Sequence, residues 1–171
     1  MIIIMKRLYI KIRDYIQHDI PCGINNLIKW FPIVWKNRDW DHYFIYVALR
    51  HKLRLTEEHI RVHNNHTTAQ QTAKKIKICM NLLDRLISDV HHDIAFKNHD
   101  KKWGTPEFNW KDYNENSLEA TIVHKNVKTV EDKEKERKDF NRSYEHEQYL
   151  INQDKEMLFK IMNKYITDWW D

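Results

Sequence analysis

Histidine and aspartate are the side chains here best suited to chemistry, with eleven histidines among 171 residues. Imidazole beside carboxylate is a donor pair that holds divalent ions, and such ions activate water against a phosphate. Among the candidate donors are His63, the doublet His92-Asp93, and the late aspartates Asp132, Asp139 and Asp154, the last preferred as a fourth member. Two further doublets, His18-Asp19 and His99-Asp100, show how readily this chain yields such pairs, so the plain alternative for His92-Asp93 is a polar helix end. His59, His63 and His66 are spaced by four and three, which puts two or three imidazoles on one helical face. No H-E-x-x-H signature accompanies them, and Asn64-Asn65 interrupt the helix they would need.

Other chemistries find little. Two isolated glycines, Gly23 and Gly104, cannot build a phosphate-cradling loop. Glu57, Glu58, Asp84 and Asp89 lack the paired spacing that facing helices need to hold Mg²⁺. Cys22 and Cys79 match no metal-ligand spacing, have no histidine-aspartate set nearby, and read as reduced thiols. His63, His92-Asp93 and a late aspartate resemble the metal-ligand pattern of HD-type phosphohydrolases, which are all-helical. The resemblance implies a divalent metal and a phosphate ester as substrate, although the small residues usual around that family's doublet are missing.

A second group of residues could touch phosphates electrostatically. Arg50, Lys52 and Arg54 form one basic cluster and Lys74, Lys75 and Lys77 another, both on stretches expected to be helical. The competing explanation, ordinary solubilising charge, carries more weight because no nucleic-acid-binding motif accompanies them. The net charge is +4; residues 1–100 supply a surplus of six positive charges and residues 101–171 a deficit of two. That bias is compatible with an anionic partner without requiring one.

The elements that must position these groups are helices. Hydrophobic residues make up 42% and charged residues 32% of a chain with only two glycines and three prolines. Hairpin-rich folds lean on Gly and Pro for their turns, so the scarcity favours few, long elements. Residues 6–18 suit a short helix, residues 19–23 a break around Pro21 and Gly23, and residues 24–36 two short turns separated at Pro32. Asp39 suits the cap of a helix from Trp40 to about His63, and Thr67 or Thr68 a restart. Ala69, Ala73, Ile76, Met80, Leu83, Ile87, Val90 and Ile94 then step by four and three, an apolar seam of period 3.5 that predicts one helix packed lengthwise on another.

Residues 97–116 read as an aromatic-bearing connection, with a helix start at Thr105-Pro106-Glu107. Asn116 and Glu119 resemble a capping box for a short helix through Val123, and 131–139 a solvated, mixed-charge helix face. Tyr144, Ile151, Leu158 and Tyr165 form a last seam able to lie antiparallel along the first. Trp30, Trp35 and Trp40 are read as core filling. The expected architecture is all-α: a single domain, 1–171, of long helices with coiled-coil-like packing. The apolar start is cut short by Lys6 and Arg7, unlike a signal sequence, and no run is long enough for a bilayer span, so the expected setting is cytoplasmic with no membrane partner.

The stretches IKWFPIVWKNRDWDHYFIYVALRHKL (28–53) and NLLDRLISD (81–89), with the terminal Trp169-Trp170-Asp171, are similar to a group of small uncharacterised bacteriophage proteins. The resemblance implies a host-cell cytoplasmic setting and brings no catalytic residue with it. The reading that follows is a non-enzymatic helical interaction protein without a cofactor, binding a host or phage protein or itself. A metal-dependent phosphohydrolase using a divalent metal, and a nucleic-acid binder, are the alternatives.

Overall fold

A computed structural model describes residues 2–38, 40–63, 67–114 and 117–169. The protein is all-α apart from one small hairpin, and the chain divides into two compact units, residues 1–51 and 52–171. In the first unit, helix α1 (Ile2–Asp14) passes through a π-helical turn (Tyr15–Asp19) into α2 (Ile20–Lys36). The breaks expected at 19–23 and at Pro32 do not occur. Pro21 sits in the first turn of α2, where the ladder has already been widened by the π turn, so its missing N–H and its ring are accommodated. Pro32 lies inside α2, and the Ile28 carbonyl it leaves without a donor is on an exposed helix that water can reach. Trp30 meets His51 edge-on at 4.8 Å between ring centroids.

Helix α3 (Tyr43–His63) begins three residues later than the sequence suggests. Asp41 Oδ1 accepts a 2.9 Å hydrogen bond from the Tyr43 amide, so Asp41 caps the helix; the expected cap, Asp39, is outside the described residues.

The second unit is organised by α4 (Ala69–Ile87), α5 (Val90–Trp103) and α6 (Val130–Tyr165). Thr68 occupies the N-cap position of α4, where its side chain makes no capping hydrogen bond. Ala69, Ala73, Ile76 and Leu83 of the expected seam are buried, with Thr72 and Cys79 beside them and Leu158 of α6 opposite. The two helices run antiparallel: Lys75 lies over the Tyr165 ring and Arg85 reaches Asp154. Core residues Leu53 and Ile60 come from the later part of α3.

The seam does not continue as one helix to Ile94. Ser88 adopts an extended conformation (φ −96°, ψ 163°) and its hydroxyl bonds back to the Arg85 carbonyl, ending α4. The register restarts in α5, which buries His91, Ala95, His99 and Trp103 at steps of four and leaves Ile94 about half exposed. On α6, Tyr144 likewise falls on an exposed position, while Ile151 and Tyr165 are half-buried.

The connection 97–116 is replaced by the end of α5 and by an antiparallel hairpin, β1 (Pro106–Asn114) and β2 (Ser117–His124). Both short helices expected there are strands. Phe108 and Trp110 alternate onto one face, with ring centroids 6.3 Å apart, and Thr121-Ile122-Val123 are β-branched, which suits a pleated ladder. Gly104, at φ +84°, stops α5 and turns the chain into β1. Asn126 ties the far end of the hairpin back: its amide donates to the Trp103 carbonyl (2.9 Å) and its side-chain nitrogen to the Lys102 carbonyl (3.0 Å). Thr129 and Asp132 then form a reciprocal capping box that starts α6. No helix is long and apolar enough to cross a membrane among the described residues.

Candidate functional site

The four-step stripe of α5 puts two imidazoles against α6. His99 has only 1% of its side chain exposed. Its Nδ1 lies 3.1 Å from Asp100 Oδ1, and its Nε2 lies 3.2 Å from Oε1 of Glu136 on α6. The same Glu136 oxygen lies 3.3 Å from Nδ1 of His124, the last residue of β2. One ligand-type atom from each of His99, His124 and Glu136 lies within 4.8 Å of the other two. Phe96 and Phe140 pack on His99, and the two histidine rings meet edge-on at 5.0 Å. This apolar wall lowers the local dielectric and strengthens each polar contact inside it.

A second polar network sits further along the same helix pair. Asp154 is buried; its Oδ2 accepts from His91 Nε2 at 2.8 Å and from Arg85 Nε at 3.0 Å. About one turn along α6 from Glu136, Asp139 accepts from Lys102 Nζ (2.6 Å) and Trp103 Nε1 (3.1 Å), and these bonds hold its carboxyl below the usual range. A cavity of about 380 Å³ opens beside it, lined by His99, Lys102, Asp139, Arg142, Ser143 and His146 among others.

The residues singled out from the sequence are distributed as follows. His63 is at the end of α3, its Nδ1 2.9 Å from the His59 carbonyl and its ring tilted against that of His59, centroids 4.1 Å apart. His66 is outside the described residues. His92 is exposed, stacks on Phe96 at 4.3 Å and has Nδ1 3.4 Å from Glu147; Asp93 is exposed. Asp154 is paired with His91, the neighbour of the residue expected to join it. Asp132 is committed to the cap of α6, where the Thr129 hydroxyl and amide hold its carboxyl low. Of the basic residues, Arg54 pairs with Glu58 (3.8 Å), Lys75 lies 3.8 Å above the Tyr165 ring, Arg50 is half-buried, and Lys52, Lys74 and Lys77 are exposed.

His124, Glu136 and the inward side of His99 were not legible in the sequence. The available signal was the doublet His99-Asp100, in which the carboxylate orients the preceding imidazole.

The first unit presents a different surface. None of its described side chains is buried. Ile20, Ile24, Leu27, Phe31 and Val34 follow one another at steps of four and three along α2 and are all exposed, Leu27 at 72%, with Ile28 and Trp35 beside them. Trp35 is thus on the surface and not in the core expected for it. Lys29 and Lys36 are the only charged residues of α2. Searches of protein-family models, curated proteins and solved structures find no match to this chain.

Proposed function

We propose that this is a helical interaction protein that works by self-association, the apolar stripe of α2 docking on the same stripe of a second copy. The observation that carries this reading is the exposed row Ile20, Ile24, Leu27, Phe31 and Val34. Its 3.5-residue period is the pattern that lets two helices pack lengthwise, and contiguous apolar patches of this kind mark association surfaces. The internal seam of α4 is satisfied by α6, whereas the stripe on α2 is exposed along its length. Two copies also meet with little charge repulsion, because α2 carries only Lys29 and Lys36. A twofold arrangement gives each copy the same patch.

Nucleic acid is the weaker partner, since Arg54 and Lys75 already have partners within the chain. The setting we propose, the cytoplasm of a phage's host cell, rests on the similarity of 28–53, 81–89 and the terminal Trp169-Trp170-Asp171 to phage proteins. Sedimentation equilibrium tests self-association directly. The full-length chain is expected to be dimeric at micromolar concentration, and the double variant Leu27→Glu, Phe31→Glu to be monomeric with unchanged helical content. A wild-type chain that stays monomeric, or that is captured by lipid vesicles in preference to itself, overturns the proposal.

A further inference from the structure

We infer that His99, His124 and Glu136 form a binding site for one divalent transition-metal ion of the zinc class, which fastens the β1–β2 hairpin to α5 and α6. Three separate elements deliver one donor each to a common point. The distances from the shared Glu136 oxygen to His99 Nε2 and His124 Nδ1 are 3.2 and 3.3 Å. Donors about 2.0 to 2.2 Å from a tetrahedral Zn²⁺ lie roughly 3.3 to 3.5 Å from one another, so these two edges have nearly the length a bound ion imposes. Two imidazoles and a carboxylate are a borderline-soft set that suits Zn²⁺ and excludes Mg²⁺ and Ca²⁺, which take oxygen.

The proton inventory of His99 points the same way. A neutral imidazole has a single N–H, yet His99 faces a carboxylate oxygen at both ring nitrogens, Asp100 at 3.1 Å and Glu136 at 3.2 Å. In a neutral ring whose Nδ1 donates to Asp100, Nε2 is a lone pair aimed at an anionic oxygen, a contact that either a second ring proton or a metal cation relieves. A cation at the centre turns all three lone pairs into ligands. Asp100 then has the role usual for the carboxylate behind a ligating histidine: it fixes the tautomer and the ring orientation. The need for a fastener is visible too, because a lone two-stranded hairpin is marginal in water and Phe108, Trp110 and Ile122 are exposed.

The test uses the full-length protein, stripped with a chelator and titrated with Zn²⁺ and, separately, with Co²⁺, whose visible absorption reports coordination geometry. One ion per chain is expected, with the thermal midpoint rising on binding. His124→Ala and Glu136→Gln are expected to abolish stoichiometric binding, Asp100→Ala to weaken it about 10- to 100-fold, and His92→Ala, at an exposed histidine, to leave it unchanged. Should His124→Ala unfold, Glu136→Gln, nearly isosteric, carries the test. Absence of stoichiometric binding, binding that survives Glu136→Gln, or nitrogen NMR showing His99 protonated at both ring positions in the presence of Zn²⁺ overturns the inference. It stands apart from self-association: the Leu27→Glu, Phe31→Glu variant is expected to bind the same single ion.

Discussion

Asp154 of α6 links that helix to both α4 and α5. It is buried and holds both His91 and Arg85. Removing one member of such a group leaves uncompensated polarity inside the protein. Asp154→Ala is therefore expected to lower stability by about 3 kcal/mol, measured by urea unfolding. The two cysteines give a contrast of the same kind. Cys22 is exposed and Cys79 fully buried, and burial pushes the Cys79 thiol from its ordinary 9.0 up to about 11. A thiol-specific reagent should label Cys22 quickly and Cys79 only on unfolding. Because the folded-state value is raised, the unfolded chain gives up this proton first. The contribution is complete below pH 9 and lost progressively up to about pH 11, roughly 2 to 3 kcal/mol that a Cys79→Ala variant should not lose. These residues were hard to find in the sequence for a physical reason. His91 and His99, eight residues apart on one face of α5, have the periodicity of a solvent face, and only the facing Glu136 and Asp154, about forty and sixty positions away, make that face an interior one.

At the scale of elements, legibility followed the origin of the ordering force. The α4 seam was readable because apolar burial imposes a period: Ala69, Ala73, Ile76 and Leu83 of the spaced set are buried, while Thr72 and Cys79 join them from beside it. The hairpin was not, because its strand pattern is carried by a few aromatic and β-branched residues between polar ones, and Thr105-Pro106-Glu107 reads equally well as a helix start. Helices α1 and α2 look fragmented in the sequence because Pro21, Gly23 and Pro32 are local breakers, and a π turn that absorbs one of them leaves no mark in composition. Residues 131–139 hid their role because Glu136 and Asp139 sit in a run of alternating charge that elsewhere is solvated, as the Lys135–Glu131 pair is. The start of α6 offers a direct test. Thr129→Ala breaks the capping box, and a loss of about 1 kcal/mol is expected by chemical denaturation. The Asp132 carboxyl should move back toward its ordinary 3.8. In the wild type its depressed value stabilises the fold above pH 4, a contribution that fades as pH falls through that depressed value.

Over the whole molecule, burial is distributed unequally. Every described side chain classed as buried belongs to residues 52–171, so the two units should differ in how readily their amides open. Hydrogen exchange is expected to be slowest in α4 and the second half of α6 and fast throughout α1 and α2 at low concentration. If α2 pairs with a second copy, protection there should grow with protein concentration while α4 stays constant; growth in neither would speak against pairing. The π turn at Tyr15–Asp19 bears on how such a surface evolves. A π turn holds one residue more than the α-helical ladder needs, so removing one residue there restores a regular helix. Each residue of an α-helix turns the chain by about 100°. Deleting one codon there should leave α1 and α2 helical yet swing the row around Tyr9 and Ile16 about a quarter-turn away from the line of Ile20 and Leu27. A one-residue length change could thus lengthen or shorten the apolar stripe without altering a single residue on it.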